Sequence, residues 1–430
     1  MERYREYKES GVKWLGEIPS HWEVFRNKDI FHECKKSVGK NSNNYTLLSL
    51  SKKGVVIRNM DDGGKFPAEF DTYKVVQSGD FIFCFFDVDE TPRAVGLSSE
   101  YGMITGAYTV LRQSIANSQY LYYYYLSIDD AKALKPLYTG LRKTVPLNAF
   151  MSMQIFLPPK AEQDAIVRYL DSATSEIDKA IAMQQKMIDL LNERKQIIIQ
   201  NAVTKGLDEN VEMKESGVEF VNEIPHNWST RRLKFSAWIR ARLGWKGLKA
   251  SEYVENGYPF LSAFNIENDH MKWNNLNFIN KYRYDESPEI KLKIGDLLLV
   301  KDGAGIGKCA RIDELPYGES TANGSLAVIT SYDMLDYRYL YYFMVSKSFK
   351  DHTELLINGM GVPHFTQGEM KKIVMPVPPQ AEQQQIVTYL DSKMQRFDTA
   401  ITNCQRQITL LQERKQIIIN EVVTGKVRVS

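Results

Sequence analysis

LLNERKQIIIQNAVT at positions 190–204 returns as LLQERKQIIINEVVT at 410–424, identical at 11 of 15 positions and displaced by 220 residues. A match that long and that distant is a duplicated segment, so the internal repeats are the natural frame for the rest of the chain. Two more blocks recur. KESGVKWLGEIPSHW (8–22) returns as KESGVEFVNEIPHNW (214–228), and LPPKAEQDAIVRYLD (157–171) returns as VPPQAEQQQIVTYLD (377–391). Between the first and second block of each half lies a longer, divergent stretch, roughly 23–156 and 229–376. The chain reads as variable segment, helix, variable segment, helix.

Both PP-x-AEQ blocks predict helix starts. The prolines interrupt what precedes them, and no proline or glycine follows before Thr204 in one copy or Thr424 in the other. Ile166, Leu170, Ala173, Ile177, Ala180, Met187, Leu191 and Ile198 follow spacings of three and four or their multiples, matched by Ile386, Leu390, Phe397, Ala400, Leu411 and Ile418. The stripe predicts a coiled-coil seam, with ordinary core packing as the alternative. About 44 residues at ~1.5 Å rise give a rod of roughly 65 Å, too long for the inside of one small domain, so the two rods are expected to pair as an antiparallel coiled coil. Gln184, Gln407 and Cys404 interrupt the seam, as polar residues that set register do.

The divergent stretches predict two globules of one fold. GDFIFCFF (79–86) and GDLLLV (295–300) are short strands entered through a Gly-Asp turn, and YLYYYYLS (120–127) and YLYYFMVS (339–346) are buried helices at matching places. The expected class is α+β, mixed α/β, with pseudo-two-fold repetition. The expected division is 1–156, a globule with its leader; 157–206, a helix; 207–376, the second globule; and 377–430, the second helix.

With 430 residues, 43% hydrophobic and 25% charged, the chain can bury more than one core. No apolar run reaches bilayer length and MERYREYKES carries no secretory signal, so a soluble, cytoplasmic protein is expected. Cys34, Cys84, Cys309 and Cys404 are far apart, which leaves no CxxC redox or zinc framework. A formal net charge of +2 means that a nucleic-acid partner would be met by local patches.

Tests for catalytic motifs fail. DGAGIGKC (302–309) lacks the P-loop spacing, and its evenly placed Gly303, Gly305 and Gly307 miss the dinucleotide fingerprint. The six histidines show no HExxH, there is no GxSxG, and DVDE (87–90) reads as a charged turn. No metal ligands are expected. Binding groups are more evident. Arg231, Arg232, Lys234, Arg240, Arg242, Lys246 and Lys249 put seven cations into nineteen residues, interleaved with Trp238 and Trp245. Lys301, Lys308 and Arg311 flank the glycine loop, and the first globule offers Lys52, Lys53, Arg58, Arg93, Arg142 and Lys143. Arginine pairs bidentately with guanine while lysine holds phosphate, so these are candidate DNA-binding residues, with a solvated charged face as the competing reading.

The EIP-x-x-W, PP-x-AEQ…I-x-x-YLD and ERKQIII blocks, each present twice and in order, resemble the specificity subunit of type I restriction-modification systems across nearly the whole chain. The resemblance implies two target recognition domains, each reading one half of a split, asymmetric double-stranded DNA target, with the helices as a ruler between them. It implies a subunit with no catalysis and no cofactor of its own. It docks two modification (methyltransferase) subunits that use S-adenosylmethionine to methylate adenine at N6. Restriction subunits that hydrolyse ATP, with magnesium, to translocate and then cleave DNA join that core. Glu193, Arg194 and Lys195, with their copies Glu413, Arg414 and Lys415, are the candidate docking residues. A coiled-coil scaffold without DNA binding, and a silent or alternative specificity copy, are the competing readings.

Overall fold

A computed structural model describes residues 2–59, 67, 69–141, 143–242, 248–303, 305–358 and 364–429. The chain divides into two units, one of residues 1–185 and 405–430, the other of 186–404. The principal helices are α1 (Ser118–Asp130), α2 (Lys160–Lys205), α3 (Tyr337–Met344) and α4 (Gln380–Val423). The cut passes through both long helices, so each unit holds the start of one and the end of the other.

The globule in the first unit is built on strands β1 (Phe31–Glu33), β2 (Phe81–Phe83), β3 (Val95–Leu97) and β4 (Thr109–Gln113), in the sheet order β1-β4-β2-β3. The second unit repeats that order as β5-β8-β6-β7, with β5 (Ala237–Arg240), β6 (Asp296–Val300), β7 (Cys309–Arg311) and β8 (Leu326–Ser331). All these pairings are antiparallel. Both faces of each sheet are covered, which is why the central strands read as unbroken apolar runs rather than alternating ones. In the second unit Leu297, Leu299, Ala327 and Ile329 face the aromatic helix α3, while Leu298, Val300, Leu326 and Val328 pack on a second apolar layer that includes Leu261, Ile266 and Ile290. In the first, Phe81, Phe83 and Leu111 face α1, and Ile82 and Val110 pack with Leu48, Val76 and Ile104.

The same turn starts the central strand of each sheet. Gly79 and Gly295 have φ of +89° and +91°, a left-handed backbone that disfavours a side chain. The following Asp80 and Asp296 are buried and accept hydrogen bonds from the Gln77 and Lys293 amides, each at 2.8 Å.

The seam of the helix pair runs through Leu170, Thr174, Ile177, Ile181, Gln184, Ile188, Leu191, Lys195, Ile198 and Ala202, alternating steps of four and three, and α4 repeats it 220 residues later. The sequence expectation placed Ala180 and Met187 there. Met187 is half exposed and Ile188 is buried in its stead, because the repeat advances one residue once Thr174, rather than Ala173, is taken as the inward position. In the first unit Ile166 and Leu170 share a core with Ile419, Val422 and Val423, and Lys415 Nζ reaches both Asp178 oxygens at 2.7 Å. In the second Ile386, Val387 and Leu390 share a core with Ile199, Ala202 and Val203, and Lys195 Nζ is 2.7 Å from Asp398. The segments are therefore antiparallel in each unit. The two ion pairs are the same pair written twice with the copies exchanged, a reciprocity that fixes register as a polar seam residue does.

The repeated blocks hold the ends of those helices. Gln163 accepts from the Asn117 amide at the start of α1 and donates to Pro158 O, both at 2.8 Å; Gln383 does the same with Asp336 (2.8 Å) and Pro378 (3.0 Å). Tyr123 donates to Asp171 (2.7 Å) and Tyr342 to Asp391 (2.6 Å). Trp22 and Trp228 are fully buried, and Gly425 (φ +73°) and Gly206 (φ +76°) end the long helices against them. A Cβ on Gly425 would collide with the Pro19 ring, whereas Gly11, at φ +71°, has open space around it. Gly11→Ala is expected to cost about 1 kcal/mol from backbone strain alone, and Gly425→Ala distinctly more. Thermal denaturation of the two variants checks this; equal losses would show that the contact with Pro19 contributes nothing.

Candidate nucleic-acid interface

A cation can serve DNA only if it is not already committed inside the fold, and the structure sorts the candidates on that ground. Arg240 is committed. It is 5% exposed and its Nη2 lies 2.8 Å from the Asp296 carboxylate, which is fully buried and also accepts from Thr330. Burial pulls the Arg240 guanidinium below its ordinary pKa despite that partner. The first unit satisfies the equivalent Asp80 from another strand, with Arg112 on β4 donating Nε at 2.6 Å and Nη2 at 2.8 Å. Arg240 is thus a correction to the sequence reading: it neutralises a turn aspartate, and local spacing gave no sign of a partner 56 residues away.

Four further candidates are likewise engaged. Arg93 bonds Asp130 at 2.8 Å and Asp129 at 3.3 Å, tying its loop to the end of α1. Arg242 is nearly buried beside Glu286 at 3.4 Å. Lys301 pairs with Asp302 at 2.6 Å. Arg311 bridges Asp313 (2.6 Å) and Asp391 (2.9 Å), joining β7 to α4. Burial alone would lower the Arg311 guanidinium, but the Asp391 hydrogen bond and the charges of Asp313 and Asp391 hold it above its ordinary value.

Others remain at the surface. Arg231 and Arg232 are exposed on the strand Ser229–Arg232, where Arg231 Nη1 touches Met334 Sδ at 2.9 Å. Lys234 stands over the Phe235 ring at 4.6 Å. Lys249 and Lys308 are exposed, as are Lys52 and Lys53 at the tip of the hairpin formed by Leu48–Ser51 and Gly54–Ile57; among the described residues these four have no ion-pair partner. Arg58 follows that hairpin, half-buried. Lys143 is half exposed and 3.0 Å from Asp89. Arg142, Lys246 and Trp245 lie outside the described residues. The exposed cations of the second unit therefore form no single patch with Arg240 and Arg242.

The docking candidates divide in the same way. Glu193, Arg194, Glu413 and Arg414 are exposed. Lys195 and Lys415 are not part of that flank, because they occupy the seam and bond Asp398 and Asp178. Beside the exposed residues the sequence reading missed an apolar pair that occurs once per unit: Leu190 and Ile197 are 50% and 49% exposed in one, Leu410 and Ile417 are 47% and 56% exposed in the other. A heptad spacing in both copies, off the seam by one position, was the available signal.

Residues 19–186 and 227–412 match the family described as "Type I restriction modification DNA specificity domain". The chain belongs to that family. Among the relatives are two specificity subunits from Methanocaldococcus jannaschii. The type I restriction enzyme MjaVIII specificity subunit is 28% identical over 65% of this chain, a match that spans 63% of that subunit. The putative type I restriction enzyme MjaX specificity subunit is 23% identical over 98% of each chain. A solved structure from work on complex assembly and conformational transition of the type I R-M system aligns over 95% of this chain and 99% of its own, at 16% identity and a TM-score of 0.68, which shows a shared fold. Family membership thus agrees with two globules and two long helices, and no helix among the described residues is long and apolar enough to cross a membrane.

Within this family member, Arg240→Ala is expected to cost about 3–5 kcal/mol, since it strands a buried carboxylate. Arg231→Ala and Lys308→Ala should each stay within about 0.5 kcal/mol of the parent. Chemical denaturation separates the two groups, and a mild effect of Arg240→Ala would return that residue to the list of surface cations.

Proposed function

We propose that this chain is the DNA-specificity subunit of a type I restriction-modification complex. Each globule reads one half of a bipartite, asymmetric target, and the paired helices set the unread spacer. The observation that carries this reading is the repetition itself: one sheet order and one reciprocal lysine–aspartate pair in each unit, with different surface groups on the two globules. One fold with two surfaces suits a target whose halves differ. Two alike helical flanks suit two copies of one partner.

In this reading the functional division falls at 156, 206 and 376. The chain contributes no catalysis and no cofactor. S-adenosylmethionine belongs to the modification subunits, and ATP and magnesium to the restriction subunits. Glu193 and Arg194 with Leu190 and Ile197, and Glu413 and Arg414 with Leu410 and Ile417, are the docking seats, since exposed apolar residues framed by charge are the usual core of such contacts. Replacing Leu190 and Ile197 by Glu should remove one modification subunit and leave the other. Replacing Leu410 and Ile417 should remove the second. Mass measurement of the complex checks it, and unchanged stoichiometry in both variants would place docking elsewhere.

The experiment for the function as a whole is to express the chain with its modification subunit in a methylation-free host and map N6-methyladenine. A split motif with an unread spacer is the expected result. A verified complex that leaves no methylation, or a chain with no salt-dependent retention on DNA, would favour the silent-copy or scaffold reading.

A further inference from the structure

Surfaces that bind two identical partners must be alike in the two units, whereas surfaces that read two unlike half-sites must carry different side chains on a common scaffold. One such place follows the central strand of each sheet. After β2 the chain enters a loop through Phe85 and Phe86, and after β6 it enters the topologically equivalent loop through Lys301 and Asp302. Each loop is strapped by one backbone hydrogen bond to a second loop that leads into a short helix: Val145 N to Phe85 O in the first unit, Phe365 N to Lys301 O in the second, both 2.8 Å. The next residue but one after each strap point, Asp87 or Gly303, is left-handed, at φ +47° and +84°. The scaffold is therefore the same down to a hydrogen bond and a backbone conformation.

The groups displayed on it are not the same. In the first unit Asp89 takes Lys143 at 3.0 Å, Lys135 at 3.7 Å and the Tyr138 hydroxyl at 3.2 Å, and Leu141, at the tip of the turn closed by Thr139 and Thr144, is wholly exposed. In the second unit Lys308 is exposed without an ion-pair partner among the described residues, and half-exposed His364 contacts Asp302, which also holds Lys301. One rim offers an apolar tip beside a partly neutralised lysine; the other offers a bare ammonium and an imidazole. Base edges distinguish such groups, because a thymine methyl takes an apolar contact and guanine O6 and N7 take a cation. By contrast Arg26 and Arg232 stand at equivalent places in the repeat, on the strands Glu23–Arg26 and Ser229–Arg232, and a cation present in both copies suits a phosphate, which is common to every sequence.

We propose that this strapped rim is the base-reading element of each globule, through Leu141 and Lys143 in the first and Lys308 and His364 in the second. The proposal rests on the specificity-subunit reading above. Its test uses the full chain with its modification subunit. Methylation is mapped for the parent, for Leu141→Ala with Lys143→Ala, and for Lys308→Ala with His364→Ala; complex formation by size-exclusion chromatography confirms that each variant folds. Each double variant is expected to relax or change bases in one half of the motif only, with discrimination there falling roughly ten-fold or more. An unchanged motif from an intact complex overturns the proposal. So does a uniform loss of affinity with an unchanged motif and a shallower salt dependence, which assigns the rim to phosphates. If the parent complex itself yields no bipartite motif, the specificity-subunit reading fails first, and the rim falls with it.

Discussion

Every long helix ends in carbonyls that its own turns cannot satisfy, and how those ends are held governs this architecture. Tyr120, buried in α1, donates to Val423 O at 3.3 Å, and Tyr339, buried in α3, donates to Val203 O at 3.2 Å. A left-handed glycine then turns each helix end onto a buried tryptophan of a leader block, Gly425 onto Trp22 and Gly206 onto Trp228. The closure in each unit is thus made between copies: the end of the second helix completes the first unit, and the end of the first helix completes the second. The first unit adds a bridge between Glu2 and Arg428.

That exchange explains what the duplicated blocks are for. EIP-x-x-W is the floor on which a helix end rests, PP-x-AEQ is the start that ties a helix to the aromatic helix beside it, and YLD supplies the carboxylate for a buried tyrosine. Their repetition is a demand of packing. The copies are not perfect, since Trp22 Nε1 donates to Glu162 at 3.1 Å while Trp228 Nε1 is buried without an acceptor among the described residues.

In the proposed reading, function is laid on a scaffold that is nearly symmetric where it meets like partners and different where it meets unlike sequences. The reciprocal Lys195–Asp398 and Lys415–Asp178 pairs belong to the symmetric part, as do the Leu190–Ile197 and Leu410–Ile417 flanks. The rims around Asp89 and Lys308 belong to the part that differs. Discrimination between half-sites needs only a few side chains on a rigid support, so the divergence between globules can be large while the sheet order is unchanged.

The sequence by itself determined the duplication, the two long helices with their heptad spacing, the Gly-Asp turns and the aromatic helices, because each is written in residues close together in the chain or in blocks copied along it. It also placed the family resemblance, which rests on those same blocks. Only the tertiary structure decided which cations are available. Arg240, Arg93, Arg242, Lys301 and Arg311 look on paper like the exposed Arg231 or Lys308, yet each is engaged by a carboxylate, most of them supplied by distant residues. Ile188 replaced Met187 on the seam for a related reason, since a heptad can be phased one residue either way until a partner helix selects the buried face. Burial and ion pairing are contacts between residues far apart in sequence, and spacing along the chain does not carry them.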